Sequence, residues 1–107
     1  MEKLVKDGLV AVLVSPGFGA GWSSWLYGYK DLGHDPLFDP VLAQMLLDGA
    51  DFEELSKVAG ERYPDAYFGG LDDLEVQWLP VGTKFRLNEY DGAESLELES
   101  DVSWVVA

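Results

Sequence analysis

The sequence predicts an α+β fold: a single small domain over residues 1–107, with an antiparallel sheet and two short helices packed on one face of it. Three observations predict it. An apolar, β-branched run, Leu9 to Val14, stands near the start. Residues 39–64 carry helical spacing between capping residues. From residue 66 the apolar period changes to two and the connections become short. A chain of 107 residues, 48 % hydrophobic, can bury one core and is too short for two.

The first element, "LVAVLVS", has no polar alternation and reads as a buried, central strand. It is too short for a signal segment or a membrane span, so the chain reads as soluble and unprocessed. "SPGFGAGWSSW" follows, then "LYGYKDLGHDPLFDP", whose glycines and prolines predict loop with at most a helical turn. Asp39 caps a first helix with Pro40 at its first position, and Gly49 ends it. Asp51 caps a second, with Glu54 three residues on as in a capping box, and Pro64 stops it. Val41, Leu42, Met45 and Leu46, then Phe52, Leu55, Val58 and Ala59, form the inward stripes.

In the second half Leu74, Val76 and Trp78 alternate with polar residues, as do Phe85 and Leu87, then Leu96 and Leu98. This predicts a meander of three or four strands with those apolar residues on one face, joined by the first strand. Asp91-Gly92 is a hairpin signal. Lys84 and Arg86 can then stand opposite Glu97 and Glu99.

The charge narrows the function. The net is −13, and residues 48–107 carry −11 of it. Such a field repels nucleic acid and anionic membranes and attracts basic protein surfaces. It also keeps a small protein soluble without further purpose. The chain has no cysteine, which removes disulfides and thiolate metal sites and fits a cytoplasmic setting.

Three places offer residues for chemistry. Gly17, Gly19 and Gly21 follow a strand, as in a dinucleotide fingerprint, but the following residues make a poor helix and no Gly-Lys-Ser/Thr is present. A structural turn is the favoured reading. The alternative is a phosphate or nucleotide site, with Gly17, Gly19, Gly21, Ser23 and Ser24 supplying donors and Trp22 or Trp25 stacking on a base. His34 is the single histidine, near Asp31, Asp35 and Asp39, and two of those acids precede proline in turn or cap positions. Carboxylate pairs are expected by chance in so acidic a chain and identify no dyad. The expectation is a non-enzyme with no catalytic residue, no metal and no cofactor.

The stretches "VAVLVSPGFGAGWSSW", "DPLFDP" and "WLPVGTKFRLNEYDGAESLE" give the chain a resemblance. It resembles a family of small, acidic, uncharacterised proteins encoded by bacteriophages and prophages. The likeness covers most of the chain and is least distinctive over residues 40–64. It implies an accessory or counter-defence role in the host bacterial cytoplasm.

The function expected from this is a binding inhibitor. Acidic residues mimic nucleic acid and occupy a basic surface of a host protein, such as a CRISPR or restriction effector. The expected partner-binding residues are Asp72, Asp73, Glu75, Glu94, Glu97, Glu99 and Asp101. No direct nucleic-acid contact and no membrane contact is expected. Two alternatives stand beside it: a small-ligand binder or sponge using loop 17–25, and a minor structural, self-assembling phage protein.

Overall fold

Strand β2 (Leu9–Val14) is apolar along its length because both of its faces are covered. In this computed structural model, residues 2–19, 21–27 and 29–98 are described. β2 lies between β1 (Val5–Lys6) and β3 (Glu75–Pro80), antiparallel to both. Asp7 and Gly8, both at positive φ, make the tight turn from β1. In the register with β3, Ala11 faces Trp78 and Leu13 faces Val76, while Val10 faces Leu79 and Val12 faces Gln77.

Period two assigns those pairs to opposite faces. Ala11 and Leu13, with Val76 and Trp78, pack with the helices: α1 (Ser23–Leu26), α2 (Pro40–Leu47) and α3 (Phe52–Arg62). Trp22, Leu42, Leu55 and Tyr63 fill this cluster. Val12, Val14 and Leu79 pack with Leu37 and a hairpin of β4 (Phe85–Tyr90) and β5 (Ala93–Leu98). The order is helices, central sheet, hairpin.

The α+β class is thus as expected, but the single meander is not. β4 does not pair with β3; it forms a separate two-stranded sheet with β5. The segment "PVGT" makes its own turn instead. Thr83 donates to the Pro80 carbonyl, Val81 N–H goes to Gly8, and Gly82 has a φ of 87°. The predicted apolar face is therefore divided. Leu74, Val76 and Trp78 face the helices, while Phe85, Leu87, Leu96 and Leu98 cover the other side of β2. The hairpin itself is as the Asp91-Gly92 signal predicts, with Arg86 opposite Glu97. Glu99 lies outside the described residues.

The caps form as read. Asp39 accepts from the N–H groups of Val41 and Leu42, and Asp51 from that of Glu54. Gly49, at φ 85°, follows α2. Two inward assignments fail: Val41 and Phe52 are exposed, and Leu42 and Ala43 turn inward in α2. In α2 the side chains that reach the core are the next two of the same turn, Leu42 and Ala43, and in α3 they are Leu55 and Ala59. Among the described residues no helix is long and apolar enough to cross a membrane.

Candidate functional site

The glycine stretch leaves the end of β2 and crosses to α1. Its three glycines answer two different demands. Gly19 has a φ of 111°, which L side chains rarely adopt. Gly17 and Gly21 are needed for space: a Cβ at Gly17 would overlap the Asp73 carboxylate, and one at Gly21 would press on Ser24, Trp25 and Glu94. The loop is tied at Gly19, whose N–H donates to the Asp91 carbonyl, and at Gly21, whose carbonyl accepts from Gly69.

The backbone N–H groups of this loop do converge as an anion nest would require. The anion they hold is the protein's own Glu94. One carboxylate oxygen accepts from Ser15 N–H and Ser15 Oγ, both at 3.1 Å. The other accepts from Trp22 N–H at 3.0 Å, Ser24 N–H at 2.9 Å and Ser24 Oγ at 2.5 Å. Glu94 N–H in turn donates to the Ser15 carbonyl at 2.8 Å. A carboxylate accepting several backbone N–H groups satisfies donors that β2 and α1 leave open at their ends. The hairpin thereby locks the loop.

This corrects the expected acidic surface. Glu94 is 2 % exposed and presents nothing to a partner. It also fills the place a phosphate would take in the loop. Period two contained the signal: Glu94 shares strand parity with Leu96 and Leu98, which face inward, whereas Glu97 has the opposite parity.

The other candidate residues are dispersed. Asp72 is exposed, and Glu75 is exposed at the start of β3, where it accepts from Gln77. Asp73 is half-buried against Gly17, and one of its oxygens is buried without a partner among the described residues. Glu97 lies on the outer side of the hairpin, 3.9 Å from Arg86, and accepts from Asn88. Glu99 and Asp101 lie outside the described residues. Of the loop residues, Trp22 is fully buried with its indole N–H on the Pro36 carbonyl, and Ser23 is 4 % exposed. Neither is open for stacking on a base. Trp22 precedes α1 rather than belonging to it, and it is Trp22, not Trp25, that enters the core. Trp25 turns outward, stacks on Tyr67 and donates to Glu89.

What the fold does bring together is an exposed aromatic face. Phe18 at the tip of the glycine loop meets Tyr90 at the tip of the hairpin, ring edge to face at 6.4 Å. Phe18 also borders a groove with Phe52, Phe68 and Asp72. Trp25 and Tyr67 form a second ring pair, tied to β4 by the Trp25 bond to Glu89. Phe18, Tyr67 and Tyr90 are 79 %, 77 % and 72 % exposed. Three acids stand by these rings: Asp72 lines the groove with Phe18, Glu89 accepts from Trp25, and Asp91 follows Tyr90.

A second buried carboxylate is structural. Asp39, fully buried, caps α2 with one oxygen and with the other accepts from Arg62 at 2.7 Å and Tyr63 at 2.5 Å. The bond to Asp39 raises the Arg62 pKa. Burial first, then the bond to Asp39, raises that of Tyr63. Asp39 thus joins both helices and is not available to His34. Among the described residues no group of three or more His, Cys, Asp or Glu could hold a metal ion.

Compared with known proteins, the chain matches no family model, no curated protein and no solved structure.

Proposed function

We propose that this protein is a non-enzymatic binding module that recognises a basic protein surface through the aromatic, acid-bordered face at the loop and hairpin tips. One observation carries the reading: Phe18 and Tyr90 are exposed and meet each other, with Asp72 in the groove beside Phe18 and Asp91 next to Tyr90. Aromatic rings are enriched in interface cores, and isolated monomers seldom leave such groups clustered in water. Rings flanked by carboxylates suit arginine, which stacks on the one and pairs with the other. The net charge of −13 speeds encounter with a basic partner. The resemblance to small acidic phage proteins supports a counter-defence role, with the partner a host protein that grips nucleic acid, such as a CRISPR or restriction effector. The recognition residues are then Phe18, Tyr90, Asp72 and Asp91, not Glu94.

The test is capture of host proteins by the tagged chain, compared with a Phe18→Ser, Tyr90→Ser variant and an Asp72→Asn, Asp91→Asn variant. Asn tolerates the positive φ of Asp91, so the hairpin turn survives. Capture of one basic protein that both variants lose, and that weakens as salt shortens the Debye length from about 10 to about 3 Å, supports the reading. Capture unchanged in both variants refutes it.

A further inference from the structure

Between α1, the turn at Asp35–Phe38 and β4 lies an open cavity of about 570 Å³ that shares no residue with the aromatic face. Small-molecule sites commonly span roughly 300–1,000 Å³. Its apolar lining comes from Leu37, Phe38, Phe85 and Leu87. Phe38 and Phe85 meet edge to face at 6.2 Å.

The polar lining differs in sign from the rest of the molecule. In a chain with twenty acids and seven Lys and Arg residues, the cavity lining holds Arg86 and the single histidine, and no Asp or Glu among the described residues. His34 lies against the Tyr27 ring, centroids 4.8 Å apart. The Arg86 side chain is 75 % exposed, and its ion pair with Glu97, at 3.9 Å, is long. A guanidinium has five N–H donors, so most of its fork remains for another anion. A further sign is Ser23, 4 % exposed, which also lines the cavity. Its hydroxyl has no hydrogen-bond partner among the described residues. Buried hydroxyls are normally partnered, and one left over in a cavity wall marks an incompletely filled site.

We propose that this cavity binds a small organic monocarboxylate with an aryl or branched-alkyl body. The body packs on Phe38 and Phe85, and the carboxylate pairs with Arg86, with His34 as a second polar contact. A polyphosphate does not suit it, since one guanidinium cannot offset several charges inside so acidic a protein. An inorganic anion lacks the body that the apolar lining would cover.

The experiment titrates the full chain with 3-phenylpropionate, its uncharged amide and inorganic phosphate, followed by backbone amide NMR shifts. The expected result is saturable shifts at Leu37, Phe85 and Leu87 with 3-phenylpropionate. The amide should bind about tenfold more weakly, as should 3-phenylpropionate to the Arg86→Gln variant, the scale of one charge-assisted contact. Arg86 is exposed, so that variant should keep the wild-type melting temperature. Equal binding of acid and amide, phosphate binding as tightly as 3-phenylpropionate, unchanged affinity in Arg86→Gln, or no shift at the cavity residues would each overturn the proposal.

Discussion

Replacing Glu94 by Gln tests the internal anion directly. The side chain keeps its length, but one carboxylate oxygen becomes an NH₂ group. Whichever way the amide turns, a donor then faces donors. The cheaper orientation leaves the carbonyl oxygen with Trp22 and Ser24 and points the NH₂ at Ser15. The Ser15 hydroxyl can rotate to accept, but its backbone N–H cannot. One orphaned buried N–H costs about 1–3 kcal/mol, and the remaining bonds lose their charge assistance, about 1 kcal/mol more. The sum, about 2–4 kcal/mol, is a large part of the 5–15 kcal/mol typical of a domain. Glu94→Ala orphans the N–H groups of Ser15, Trp22 and Ser24 together and should leave little stable fold.

Urea unfolding measures the difference, followed by the fluorescence of the four tryptophans, of which Trp22 is fully buried. The midpoint should fall at unchanged slope, and the amides of Ser15, Trp22 and Ser24 should lose hydrogen-exchange protection first. Glu97→Gln is the control: it is half-exposed and its ion pair is long, so its effect should stay within about 0.5 kcal/mol. If Glu94→Gln changes stability no more than Glu97→Gln, the carboxylate does not hold the loop and the nest argument fails.

Gly19→Ala should cost roughly 1 kcal/mol from backbone strain alone, since nothing lies near its added methyl; thermal unfolding reads it. Gly17→Ala should cost more and be partly relieved by Asp73→Ala, since the clash is with that side chain; a double-mutant cycle measures the coupling. Tyr63→Phe removes the hydroxyl that Asp39 accepts and should cost about 1–2 kcal/mol. The raised pKa of Tyr63 also sets a pH dependence. The unfolded phenol ionises near the ordinary value of 10.0 while the folded one still holds its proton. The stabilisation is therefore complete below that pH and is lost as pH rises from it toward the folded pKa. Urea midpoints taken across alkaline pH should fall less steeply in Tyr63→Phe.

The local elements were legible because local chemistry decides them. Asp39-Pro40 and Asp51 with Glu54 start helices wherever the flanking chain allows, and Asp91-Gly92 turns a hairpin at short range. The same dipeptide at Asp7-Gly8 marks the turn between β1 and β2 and was readable on the same grounds. The pairing of β3 was not. Alternation says which residues share a face but not which strand lies alongside, and β2, apolar on both faces, can accept a covering layer on either side. That second layer is what divides the predicted apolar face. The aromatic face was also hidden, because Phe18, Phe52, Phe68 and Tyr90 are far apart in sequence and meet only through tertiary contacts.

Glu94 shows why a count of charges is a poor map of a charged surface. Its place on the inward side of β5 was written in the strand period, yet an acid in an acidic chain is read as surface by default. The glycine loop carried the complementary signal, several N–H groups brought together with no side chains between them. Each half alone suggests an external partner: an acid for a basic surface, a nest for a phosphate. Together they satisfy each other at 2.5–3.1 Å inside the fold. Asp39 does the same for Arg62, Tyr63 and the start of α2. Both carboxylates serve the fold and leave the surface field to the remaining acids. On the proposed reading, a partner is recognised where carboxylates and exposed rings coincide, at Asp72, Asp91, Phe18 and Tyr90, beside the loop that Glu94 holds in place.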